Sequence, residues 1–267
     1  MVISETMMFS ISDSVKGKLY EVKPRSIIYL FSGGKDSSLA LLLTRDFVRD
    51  LCSEIKCKTY ILYVLIPGNT HPLNSFASAY VMEWHKKNYG FNTIYKCVST
   101  VFQEYIIEHS LHYKGHRLCF HVFKDQIFRE VENILPKPLV EVDGMSPNDS
   151  KLRARTIKEE LTYVETYHNT RFWAWHPLYN LKLSSEEKLN ILKQYPEFNY
   201  IVKLYELFGD SLNCVFCPYR ELPKCVKYDE VEDFTIINEF INKYLRERKI
   251  RKRFSKLNTV KLDEWLG

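Results

Sequence analysis

One stretch near the start of the chain leaves few folds open. Ser26–Phe31 (SIIYLF) is a continuous apolar run rich in β-formers, the pattern of a strand buried on both faces. It is broken at once by Ser32-Gly33-Gly34-Lys35-Asp36-Ser37-Ser38. From Leu39 to Asp50 the apolar residues Leu39, Leu42, Leu43 and Phe47 recur at helical spacing. A buried strand, a glycine turn and a helix, in that order, are the opening unit of a parallel sheet.

The unit repeats. Thr59–Ile66 (TYILYVLI) reads as a second buried strand, closed by Pro67-Gly68, and Phe76 to Tyr89 as a helix stopped by Gly90. Asn92–Val98 (NTIYKCV) reads as a third strand, followed by helical patterns over Val101–Leu111 and His121–Leu135. Pro138–Val142 (PLVEV) is a fourth strand ending at Asp143-Gly144. Alternation of this kind predicts an α/β fold with a doubly wound, mainly parallel sheet, whose ligands bind at the carboxyl ends of the strands. The second half is less regular. Tyr163–Tyr167 and Arg171–Trp175 read as short strands around His168-Asn169. Ser184 with Glu187 three residues on is a capping box for a helix to Tyr195. A Cys/Pro loop follows over Cys214–Cys225, then a basic helix from Asp229 to about Lys256. The expected division is a polar leader over 1–25, one α/β domain carrying the glycine turn over 26–228 and a basic helical extension over 229–267.

Composition sets limits. The chain has 267 residues, 45% hydrophobic and 27% charged, enough to bury a core without disulfides. No apolar run approaches the ~20 residues of a membrane helix, and the first residues lack a secretory pattern. A cytoplasmic location with no membrane partner is therefore expected. The seven cysteines should then be reduced thiols, with Cys52, Cys57 and Cys97 as buried apolar residues. A net charge of +5 fits small anions as well as nucleic acid.

The turn itself has the chemistry of an oxyanion cradle. Gly33 and Gly34 let backbone approach a ligand without a Cβ in the way. A helix beginning at Ser37 or Ser38 would aim unpaired N–H groups and the positive end of its dipole at the turn. Lys35 and the hydroxyls of Ser32, Ser37 and Ser38 add donors. Asp36 follows Lys35 where a Walker A loop has Ser or Thr, and the upstream glycine of that loop is absent.

Ser-Gly-Gly-Lys-Asp-Ser is the PP-loop pattern, and the order of further motifs resembles the phosphoadenosine phosphosulfate (PAPS) reductase family of the PP-loop ATP pyrophosphatase superfamily, the adenine nucleotide alpha hydrolases. The resemblance runs from about Ser26 to Arg220. It is carried by the turn, by His116-Arg117-Leu118-Cys119 with Lys124, and by Asp143-Gly144-Met145 with Asp149, Ser150, Arg153 and Ala154. It continues with Trp175-His176-Pro177-Leu178-Tyr179 and Cys214-Val215-Phe216-Cys217-Pro218. It implies an enzyme that binds ATP, PAPS or its unphosphorylated relative APS at Ser32–Ser38, with Lys35 and Asp36 catalytic and Asp36 orienting the loop or helping to hold Mg²⁺. Gly144, Ser150 and Arg153 would clamp the anion, the alternative for Arg153 being a surface residue of a helix turn. Met145 stands where the family has Arg.

Cys214 and Cys217 have metal-ligand spacing, and Cys225 follows. With Cys119 they make four thiols, suited to a [4Fe–4S] cluster or, alternatively, to zinc. The resemblance favours iron–sulfur. The reductases of the family also use a nucleophilic cysteine near the carboxyl terminus, and no cysteine follows Cys225 here. The chain carries instead Lys243, Arg246, Arg248, Lys249, Arg251, Lys252, Arg253 and Lys256 against Glu247. That run would hold tRNA or DNA, or is a solvated helix face. His71 could face the nucleotide, while His109, His112, His116 and His121 show no metal-binding pattern.

Three functions remain open at this point. The first is ATP cleavage to AMP and pyrophosphate that activates a substrate for sulfur transfer of the nucleic-acid thiolation type, with a sulfur donor protein as partner. The second is sulfonucleotide reduction in sulfate assimilation. The third is nucleotide sensing without chemistry.

Overall fold

Strands buried on both faces need helices on both sides, and the chain supplies them. The computed structural model describes residues 11–109, 121–166, 170–216 and 246. Six strands form one sheet: β1 (Ser26–Phe31), β2 (Lys58–Leu65), β3 (Asn92–Cys97), β4 (Leu139–Val142), β5 (Leu161–Glu165) and β6 (Arg171–Trp175), in the order β3-β2-β1-β4-β6-β5. All neighbours are parallel except β5, which pairs antiparallel with β6 at the edge.

The period-2 alternation of side chains sorts the apolar residues into two layers. Ile27, Tyr29 and Phe31 of β1 enter one core with Ile61 and Tyr63 of β2 and Val140 and Val142 of β4. Covering it are α1 (Asp13–Val22), α2 (Lys35–Ile55), α3 (Pro72–Tyr89), α7 (Ser185–Leu192) and α8 (Asn199–Phe208). Ile28, Leu62, Val64 and Leu139 enter the other core, against α4 (Phe102–His109) and α5 (Gln126–Ile134). The short helix α6 (Lys151–Thr156) follows β4 and presents no buried residue. Helices on both faces make the layering of a doubly wound sheet. Full burial of each Ile, Leu or Val here contributes about 1.5–3 kcal/mol.

Several expectations are corrected. The polar leader contains α1, whose Val15 and Leu19 are buried and whose N-cap is Ser12. The helix after the glycine turn starts at Lys35 rather than at Ser37 or Ser38, capped by Gly34 in an extended conformation. Cys52 and Cys57 form a disulfide and are not free thiols. The chain reverses between them at Lys56, in the left-handed region, which brings their Cα atoms to 4.5 Å. Cys97 is exposed, because β3 is an edge strand with one face toward solvent. Among the described residues no helix is long and apolar enough to cross a membrane.

Candidate functional site

The sheet order decides where the glycine turn sits. From β1 the chain winds outward through β2 and β3, then returns to the other side of β1 as β4. The reversal falls between β1 and β4, and the crevice beyond their carboxyl ends is the favoured ligand position in such sheets. In register, Phe31 lies beside Tyr63, Tyr29 beside Val142, and Val142 beside Trp175. The turn at Ser32, the loop at Ile66–His71, the Asp143-Gly144 corner and His176 therefore share one edge.

Two glycines hold close approaches there. Gly33 has φ +67°, and a Cβ on it would lie 2.1 Å from Ser78 Oγ and 2.7 Å from Asn74 Nδ2. A Cβ on Gly144 would lie 2.5 Å from both the backbone carbon of Asp36 and the backbone nitrogen of Ser37. The corner after β4 is thus packed directly on the first turn of α2. Asp143 fixes it: Oδ1 accepts from Met145 N–H (2.9 Å) and from buried His176 Nδ1 (2.8 Å).

The amides of the turn are held by hydroxyls. Ser32 N–H donates to Ser37 Oγ (3.2 Å), Gly34 N–H to Ser32 Oγ (3.3 Å) and Lys35 N–H to Tyr205 OH (3.1 Å). Hydroxyls rotate, and a charged oxygen makes a stronger bond to the same N–H. An oxyanion can exchange with them at no loss of bond count. The carbonyls of the turn face amides: Asn213 Nδ2 donates to Ser32 O (2.6 Å), and Asn74 Nδ2 lies 3.4 Å from the carbonyl oxygens of Ser32 and Gly33. Asn74 is itself held by Ser211 O (2.7 Å) and by the Tyr63 hydroxyl (2.7 Å). Burial pushes Tyr63 up to about 12, which keeps it a donor.

The charges form a chain. Lys35 Nζ donates to Asp36 Oδ2 (2.8 Å), and Lys188 Nζ, from α7, to Asp36 Oδ1 (2.7 Å). Burial raises the Asp36 carboxyl, but the hydrogen bonds and charges of Lys188 and Lys35 outweigh it and hold the group below its ordinary value. One carboxylate between two ammoniums leaves a net positive charge at the positive end of a 21-residue helix. Each oxygen of Asp36 already accepts from an ammonium, so a divalent ion on that carboxylate would sit beside two like charges, an unfavourable fit.

Other predicted residues fall elsewhere. Ser37, in the first turn of α2, bonds the glycine turn through its Oγ, whereas the next residue, Ser38, is fully buried. Ser150 caps α6, its Oγ accepting from Arg153 N–H, and Arg153 pairs with Asp149. Both are thus engaged within their own helical turn. His71 is the N-cap of α3, accepting from Leu73 N–H (3.2 Å), and burial lowers its pKa. Cys214 is a half-buried free thiol in the loop that carries Ser211 and Asn213. Cys119, Cys217 and Cys225 lie outside the described residues, as do His112, His116 and all of the basic run except exposed Arg246.

Asn74, Lys188, Tyr205, Ser211 and Asn213 were not anticipated. Tyr205 had a legible signal: Ile201, Val202, Leu204, Tyr205 and Phe208 repeat at helical spacing before Gly209. Compared with protein-family models and with curated proteins, the chain matches none.

Proposed function

We propose that this chain is a PP-loop enzyme resembling the PAPS reductase family, which binds ATP at Ser32–Ser37 and cleaves it to AMP and pyrophosphate to activate a substrate for sulfur transfer. The observation that carries the reading is the packing of the Gly144 corner on the first turn of α2, beside a turn whose amides are held by exchangeable hydroxyls.

The chemistry follows from the parts. A substrate oxygen attacks the α-phosphorus, the bond from that phosphorus to the α–β bridging oxygen breaks, and pyrophosphate leaves with the electron pair. The adenylated substrate then loses AMP to a sulfur nucleophile. The amides of Gly34 and Lys35 and the Lys35 ammonium stabilise the charge that develops on pyrophosphate, already oriented before reaction. The substrate is a nucleic acid, tRNA or DNA, drawn by the basic run from Lys243 to Lys256.

The test is product analysis under anaerobic conditions, with ATP–Mg²⁺ and PAPS supplied separately. Pyrophosphate from ATP, dependent on added tRNA or DNA, is expected. Sulfite from PAPS with a thiol donor would replace this reading by sulfonucleotide reduction.

A further inference from the structure

Lys188 stands where a core residue belongs. It lies one helical turn before Leu192 on α7, on the face that packs against α2, and both side chains are buried. A lysine ammonium taken out of water needs a bonded counter-charge. The acid next to it in sequence, Glu187, is committed elsewhere: its carboxylate accepts from Ser184 N–H (2.7 Å) to close the capping box. The partner of Lys188 is Asp36, across 152 residues of sequence, in the first turn of α2.

We infer that Asp36 serves no divalent cation and is instead the centre of a Lys35–Asp36–Lys188 clasp, in which Lys188 is a positioning residue that fixes the charge of the phosphate turn. The inference rests on the nucleotide-site reading above. A divalent ion on Asp36 would sit beside two ammoniums already bonded at 2.7 and 2.8 Å. Lys188, only 8% exposed at its side chain, has no room to withdraw and would remain there as a like charge. The clasp also acts on Lys35. Lys35 Nζ lies 5.8 Å from the centre of the Tyr205 ring and bonds Asp36 Oδ2, so a carboxylate fixed by Lys188 holds that ammonium beside Tyr205, whose hydroxyl accepts from Lys35 N–H. Any divalent ion that accompanies ATP is then carried by the phosphates themselves.

The test is ATP affinity, with and without Mg²⁺, for wild type, Lys188→Met, Asp36→Asn, their double variant and Lys188→Arg. The clasp predicts that Lys188→Met weakens ATP by about tenfold, and that adding Asp36→Asn to it weakens ATP no further, because the partner it removes is already lost. It also predicts the same Mg²⁺-to-EDTA affinity ratio in Asp36→Asn as in wild type, with recovery in Lys188→Arg, whose fold guards against misreading a destabilised Lys188→Met. Loss of the Mg²⁺ preference in Asp36→Asn, or unchanged affinity in folded Lys188→Met, would overturn the clasp alone. Absence of ATP binding in wild type would instead remove the nucleotide reading, and the clasp with it.

Discussion

A methyl group on Gly144 would meet the backbone of Asp36 and Ser37, not the end of a flexible side chain. The corner or the turn must move. Gly144→Ala should therefore cost about 1–3 kcal/mol of stability and weaken nucleotide binding together, read by urea denaturation and ATP titration. An unchanged affinity would detach the β4 corner from the site. Asp36 gives a pH signature. Its carboxyl is held below its ordinary value, so its stabilising contribution is present above the unfolded aspartate pKa and is lost as pH falls through the lower, folded value. The stability gap between wild type and Asp36→Asn should narrow on acidification below about pH 4. At this scale the sequence spoke clearly only where residue type is itself the mechanism, as in Gly33, Gly34 and Lys35. Asn74 and Asn213 reach the Ser32 carbonyl across 42 and 181 residues by donating from their side-chain amides. No local pattern marks an asparagine for that role.

Between elements, buried Arg45 of α2 pairs with buried Glu197 just before α8 and lies 3.3 Å from His85 of α3. His85 Nδ1 donates to Val81 O (2.8 Å), leaving Nε2 to accept from Arg45. Burial first, and then the Arg45 charge, lower this histidine to about 4, so it is neutral in the folded protein near neutral pH. Glu197→Gln should cost about 3–5 kcal/mol in urea denaturation, because it strands a buried guanidinium. A loss under about 1 kcal/mol would mean that the three helices are held by apolar packing alone. On the opposite face, burial raises the carboxyl of Glu141 in β4 well above its ordinary value, and neighbouring Glu132 of α5 adds to the rise. The folded state keeps a proton there that the unfolded chain releases, so stability falls as pH rises from the unfolded value toward the folded one. Glu141→Gln should raise the Tm at about pH 8, with the gain shrinking toward about pH 5. Element legibility varied for physical reasons. The α7 capping box is written in four residues and is observed. Helix α1 buries only Val15 and Leu19, too little to set a period, and its sequence reads as polar.

For the whole molecule, alternation of buried strands and helices was enough to predict the parallel sheet, and the short link from β5 to β6 leaves no room for a crossover helix, so that pair had to be antiparallel. The insertion of β6 between β4 and β5 was not legible, because it is decided by packing across the sheet. That order places Trp175 beside Val142 and carries His176 to Asp143, which anchors the corner that presses on α2. The fold thus assembles one edge from β1, β2, β4 and β6, and the central claim is that this edge is a nucleotide site. Calorimetric titration of ATP into wild type and Lys35→Ala tests it most directly. The account predicts saturable one-to-one binding by wild type and at least about tenfold weaker binding by the variant, as expected for loss of a charge-assisted contact to phosphate. No heat of binding in wild type, or equal affinity in a folded Lys35→Ala, would contradict it.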